Sequence, residues 1–195
     1  MLLSLDPYFP LRSGRMHEVF GPGAWGFAAM LAAQLSGPLL WLRLAHGKEI
    51  VNPAGLSTFI NPSRILTGQV KGQADGLAVA EEALRDGATP LVVIEITDPL
   101  TLTSGRRLQL AAKTGGTLCL CIIPEGAGSN AAETRWQVTP VLDPQTEDST
   151  LQHWELKKNK LGTLRAWYVR WDHAARRLHV VSPPGQRPGA APAPC

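Results

Sequence analysis

The chain has 195 residues, 44% of them hydrophobic and 18% charged, which suits one domain with a full core and leaves little room for a second. Its net charge of +3 is uneven: residues 1–150 hold 11 Lys and Arg against 14 Asp and Glu, whereas residues 151–195 hold 8 against 2. Three cysteines, two of them in one apolar run, exclude a disulfide framework and point to a reducing compartment. No stretch reaches the ~20 apolar residues of a membrane span, and Met1-Leu2-Leu3-Ser4-Leu5-Asp6 lacks the basic flank of a secretory signal. A cytoplasmic protein without membrane contact is expected.

In chain order, residues 1–13 form an expected flexible lead. Met16-His17-Glu18-Val19-Phe20 reads as a strand that runs into the glycine-rich turn Gly21-Pro22-Gly23-Ala24-Trp25-Gly26. Residues 25–36 read as a helix, closed by Gly37-Pro38. It is apolar nearly all round, as a helix buried on more than one side must be. A strand at 39–44, a loop rich in Gly, Asn and Pro at 46–63, and a short strand at 65–70 follow. The next predicted helix spans 73–86, with Leu77, Ala80 and Leu84 on one face and Gly87 as its stop.

Residues 91–96 and 117–123 are continuous apolar runs separated by a helix over 104–113, the pattern of strands covered on both faces of a parallel sheet. Residues 124–132 are rich in Gly, Ser and Asn and read as mobile. Antiparallel strands are expected at 134–141, 152–158 and 163–171, the last two a hairpin turning at 159–162, with one more strand at 178–181. The tail 183–195, mostly Pro, Gly and Ala, is expected to be disordered.

The turn after the first strand carries the chemical argument. Phosphate-binding loops of the G-x-x-x-x-G-K-[ST] type join a strand to a helix. Backbone N–H groups cradle the phosphates, the Lys reaches the β/γ-phosphates, and the hydroxyl holds Mg²⁺. Gly21 and Gly26 have that spacing and context, with Pro22, Gly23, Ala24 and Trp25 between them, but Phe27 and Ala28 stand where the Lys and the hydroxyl belong. Losing a charge-assisted hydrogen bond of about 1.5–3 kcal/mol weakens nucleotide binding by roughly one to two decades. Without the cation and the metal ligand, hydrolysis loses its main electrostatic support. A chain with this loop is expected to bind partners, with no cofactor and no catalytic residue. Two glycines alone would be equally at home in an ordinary turn.

The stretch Gly14-Arg15-Met16-His17-Glu18-Val19-Phe20-Gly21-Pro22 resembles the strand and loop entry of the RecA recombinase family. That resemblance implies an α/β fold with a RecA-like P-loop NTPase core over residues 14–182, a mainly parallel sheet, a C-terminal antiparallel hairpin and a degenerate phosphate loop. It places Glu95 at the metal-linked acid of the Walker B strand. It also matches Lys158-Asn159-Lys160 to a Lys-Asn-Lys used near the nucleotide across a subunit interface, and puts the catalytic Glu of RecA near Ala45, just before His46, where this chain has none. Within that superfamily the chain resembles the ImuA family through His17-Glu18-Val19-Phe20-Gly21, Ser104-Gly105-Arg106-Arg107-Leu108-Gln109-Leu110-Ala111-Ala112 and Ala131-Ala132-Glu133-Thr134-Arg135-Trp136, spread over residues 14–171. The resemblance implies an accessory protein of the SOS response to DNA damage. Such a protein supports mutagenic translesion synthesis and DNA repair with ImuB (an inactive Y-family polymerase relative), with the RecA recombinase and, indirectly, with an error-prone C-family polymerase. Self-association is implied by the RecA fold, although the long N-terminal helix and C-terminal domain of RecA have no counterpart here.

Other residues carry two readings each. Glu95, the acid in an apolar run, is either a residual metal ligand or a relic paired with a nearby basic group. Arg106 and Arg107 open a helix and either meet a partner or DNA or are simply solvated. Cys119 and Cys121 point to one face of a strand as core residues, and His17 reads as a hydrogen-bonded structural residue. Trp154, Trp167, Tyr168 and Trp171 interleave with Lys157, Lys158, Lys160, Arg165 and Arg170, either as a binding surface or as amphipathic packing with aromatics inward. Two other functions fit the same residues: a cell-division inhibitor of the SulA class, and a RecA-like protein that still binds nucleotide weakly.

Overall fold

The two strand patterns of the sequence, continuous apolar runs and strict alternation, occupy the two halves of one sheet. The computed structural model describes residues 9–45, 52–143 and 150–181. Nine strands, β1 (Met16–Phe20), β2 (Leu39–Leu44), β3 (Ile65–Val70), β4 (Leu91–Glu95), β5 (Leu118–Ile122), β6 (Thr134–Pro140), β7 (Gln152–Asn159), β8 (Ala166–Asp172) and β9 (Arg177–Val181), form a sheet ordered β3-β2-β4-β5-β1-β6-β7-β8-β9. Every pairing from β3 to β6 is parallel, and those from β6 to β9 are antiparallel. The fold is thus α/β with a mainly parallel mixed sheet and an antiparallel C-terminal end. The strand predicted at 134–141 belongs to both halves: it runs parallel to β1 and antiparallel to β7.

Layers follow from which faces need cover. The helix α1 (Ala24–Ala33) lies on one face, and α3 (Gln73–Asp86) and α4 (Leu102–Gly115) pack side by side on the other. The strands β1, β4 and β5, between these layers, are buried almost throughout, which is why they read as unbroken apolar runs. The strands β6 and β7 alternate buried and half-buried residues, since α1 covers one face and no helix among the described residues covers the other. The helix α3 stops at Gly87 in the left-handed region, and Thr101 caps α4 by accepting from the Ser104 N–H at 3.1 Å. As the sequence implied, α1 buries seven of its ten residues.

Aromatic packing fixes the α1 face. All six tryptophans lie there: Trp41, Trp136, Trp154 and Trp171 in the core, with Trp25 and Trp167 packed against it. Each of the four core indoles donates to a partner: Trp41 to Glu95 (2.8 Å), Trp136 to the Thr134 hydroxyl (2.8 Å), Trp154 to Gln152 (2.8 Å) and Trp171 to the Thr58 carbonyl (3.2 Å). A buried indole N–H left without an acceptor costs as much as other buried unpaired donors, so these four acceptors are committed to the fold.

Four expectations change. Residues 9–13, expected within the flexible lead, are packed: Phe9 and Leu11 are buried, and Phe9 packs on Trp154 (5.3 Å) and Trp167 (5.2 Å), while the rest of that lead lies outside the described residues. The loop over 46–63 contains a short helix α2 (Pro53–Ser57) and a 3₁₀ turn at Pro62–Arg64, each started by an Asn side chain capping a Pro-initiated turn. The helix predicted at 104–113 begins two residues earlier. Finally, residues 124–132, expected to be mobile, are packed: Ala127, Ser129, Ala131 and Ala132 are buried. Glu18, wholly buried, accepts from the Ser129 N–H (2.8 Å) and from Arg135 Nε (2.8 Å), while Arg135 Nη2 donates to the Ser129 carbonyl (2.9 Å). The predicted tail at 183–195 and His46 lie outside the described residues.

Removing one partner of a buried ion pair leaves the other charge uncompensated. Arg135→Ala is therefore expected to lower the unfolding free energy by roughly 3–5 kcal/mol, read from urea denaturation. A loss under about 1 kcal/mol, the range of an exposed pair, would show that Glu18 is not held as described.

Candidate functional site

The strand-to-helix turn after β1 is the segment that carries the Gly21 and Gly26 spacing. The loop predicted over Gly21–Gly26 is only three residues long, because α1 already begins at Ala24 and takes Trp25, Gly26, Phe27 and Ala28 into its first turns. Gly21 adopts φ +96°, open to glycine and strained for other residues, and a side chain there would meet the Val138 carbonyl at 2.6 Å. The turn lies directly on β6. Gly23 N–H donates to the Val138 carbonyl (3.0 Å) and Ala24 N–H to the Gly21 carbonyl (3.0 Å), and Phe27 N–H closes the first helical turn on Gly23 (2.9 Å).

The two positions that decide phosphate chemistry point inward. Phe27 is fully buried, its ring 4.4 Å from that of Trp154 and 5.7 Å from that of Trp136, and Ala28 is fully buried beside it. Over Gly26, the space a Cβ would need is taken by the carboxamide of Gln152, whose Nε2 lies 2.5 Å from that position. The same carboxamide accepts the Trp154 indole N–H. Trp25 stacks on Trp41 (5.9 Å), whose indole donates to Glu95 at the end of β4. Glu95 thus accepts an indole N–H from the helix-covered face of the sheet. Among the described residues, no group of three or more His, Cys, Asp or Glu side chains could hold a metal ion. Ala45, just after β2, donates its N–H to the Val70 carbonyl (2.8 Å).

The remaining candidates separate. Arg107 pairs with Glu81 (2.7 Å), while Arg106 is exposed and has no partner among the described residues. Lys157 pairs with Glu155 (2.9 Å) and Arg170 with Asp143. Lys158 donates to the carbonyls of Ser129 (3.0 Å) and Asn130 (2.9 Å), and Lys160 to that of Ala131 (2.7 Å). Partial burial and the neighbouring Arg135 and Lys160 cations hold the Lys158 ammonium below its ordinary pKa. The Arg165 side chain is exposed and unpaired among the described residues. The interleaved aromatics split by strand face: Trp154 and Trp171 are core, Trp167 packs against it, and Tyr168 turns outward to stack on His153 at 4.8 Å.

Cys119 and Cys121 are buried on one face, with Sγ atoms 3.9 Å apart, and the contact with Cys119, together with burial, pushes the Cys121 thiol up. His17 is structural. It is wholly buried and bonded to Thr134 Oγ1 (2.7 Å) and to the Arg12 backbone (3.1 Å), and desolvation lowers its pKa to about 4. Gln152 and Trp41, which complete the filling of this region, were not singled out in the sequence. The period-2 alternation of β7 was the one available hint, since it puts Gln152 on the same face as Trp154.

No protein-family model and no curated protein matches the chain. Among the described residues, no helix is long and apolar enough to cross a membrane.

Restoring the signature should fail for a packing reason. Phe27→Lys with Ala28→Thr puts an ammonium between Trp136 and Trp154, with an expected loss of roughly 4 kcal/mol or more in unfolding free energy. Chemical denaturation checks this. A double variant as stable as the parent would show that these side chains can turn toward solvent.

Proposed function

We propose that the protein is a non-enzymatic adaptor on a RecA-like core, acting in damage-induced translesion synthesis as the ImuA-family resemblance implies. Its partners in this reading are an ImuB-type inactive Y-family polymerase and the RecA recombinase, with an error-prone C-family polymerase engaged through them. One observation carries the non-enzymatic part. The side chain at the signature's Lys position is a phenyl ring packed 4.4 Å from Trp154, after a turn whose Gly23 N–H is bonded to the Val138 carbonyl. A polyphosphate brought there would have to displace the Gln152 carboxamide and the Trp25–Trp41 pair without gaining a cation.

Support for an assembling role comes from the edge of the sheet. The edge strand β3 reads Ile-Leu-Thr-Gly-Gln-Val, with no charge and no proline, and Leu66 on it is 54% exposed. An edge without such safeguards is a ready site for strand addition by another chain. Self-association or partner docking through this edge fits an adaptor better than an isolated monomer.

The test is co-elution of the full chain, on size exclusion, with the inactive Y-family polymerase relative of the same genome, with the recombinase, and with the tubulin-like division protein. A stable complex with the polymerase relative is expected, together with loss of damage-induced mutagenesis when the gene is deleted. Binding to the division protein alone would favour the SulA-class alternative and overturn the translesion reading.

A further inference from the structure

We propose that the β7–β8 hairpin is a docking surface for a segment of a partner protein that combines acidic residues with large apolar side chains. The inference holds whether or not the partner belongs to translesion synthesis.

Residues 157–165 read Lys-Lys-Asn-Lys-Leu-Gly-Thr-Leu-Arg, with four cations and no acid. At the tip, Leu161 is 65% and Leu164 61% exposed. These leucines are not on a loose loop. Asn159 Oδ1 accepts from the Leu161 N–H (3.1 Å), and its Nδ2 donates to the Thr163 carbonyl (3.3 Å). The base is tied by Lys160 N–H to the Glu133 carbonyl (3.0 Å) and by Leu156 N–H to the Arg165 carbonyl (2.8 Å). A preformed turn that presents two leucines has little ordering left to do on binding. Two clefts flank the hairpin. Both are lined by Leu156 and Arg165; Leu164 lines one, and the half-buried Trp167 lines the other.

The chemistry of the occupant follows from which groups are still available. The three ammonium groups are already hydrogen-bonded, Lys157 to Glu155 and Lys158 and Lys160 to main-chain carbonyls. Carbonyl acceptors do not neutralise Lys158 and Lys160, so the hairpin keeps a positive field that favours carboxylates nearby. The side chains left to make direct contact are Leu161, Leu164 and Arg165, with the half-buried Trp167 in one cleft wall. A nucleic-acid backbone is gripped by several free cations. Two leucines, an arginine and a tryptophan around clefts match instead the buried centre of a protein interface.

The probe is a displayed library of random 16-residue peptides selected on the intact chain, with a dT20 oligonucleotide as a second ligand. Selected peptides are expected to combine Asp or Glu with Leu, Phe or Trp. They should bind the parent with micromolar Kd and bind both the Leu161→Ser/Leu164→Ser variant and Arg165→Glu roughly tenfold or more weakly. Unchanged melting temperatures will show that these exposed substitutions leave the fold intact. Peptides that lack this composition, or that bind both variants as well as the parent, overturn the proposal. So does an oligonucleotide that displaces the peptides and depends on Arg165 but not on the leucines.

Discussion

The contact between Phe27 and the indoles of Trp136 and Trp154 is the constraint on which the rest of this region depends. It fixes the rotation of α1, because a ring at that position must face the sheet. With Phe27 inward, the helix starts early, at Ala24, and the preceding turn is pressed onto β6 tightly enough that glycine is required at Gly21. The indole N–H groups of the same face then need acceptors. Gln152 and Glu95 supply them. The turn after β1 is in this way closed by packing.

Much of the fold was legible because its periods are strong. The buried runs at β4 and β5, the alternation of β6 and β7, and the Gly87 stop of α3 need only local information. The site was half legible. The identities of Phe27 and Ala28 speak against phosphate chemistry from sequence alone, but the direction in which they point depends on strands more than a hundred residues away. The Trp41–Glu95 bond spans 54 positions, and nothing near Glu95 announces an indole partner. Residues 124–132 misled for the same reason. Their composition is that of a loop, yet Glu18 and Arg135, neither of them adjacent, bond to Ser129 within that segment. Phe9 was hidden because one aromatic in a polar lead has no period to reveal it.

The charge asymmetry gains meaning once the sheet is laid out. Pairs within the first 150 residues, such as Glu18 with Arg135 and Glu133 with Arg12 (2.6 Å), match acid to base one for one and leave the acidic surplus of that part in place. The basic surplus instead lies in the antiparallel end, beyond the cover of α3 and α4, where strands alternate between a tryptophan-rich face and an outward face. The uncharged edge strand β3 and the cationic hairpin therefore lie in opposite halves of the sheet, while the tryptophan core spans both.

Isothermal titration of the full chain with ATP and Mg²⁺ tests the closed turn most directly. No saturable binding up to millimolar nucleotide is expected. A micromolar Kd that disappears in a Gly21→Val variant, itself shown to be folded, would contradict it and reopen the loop as a working nucleotide site.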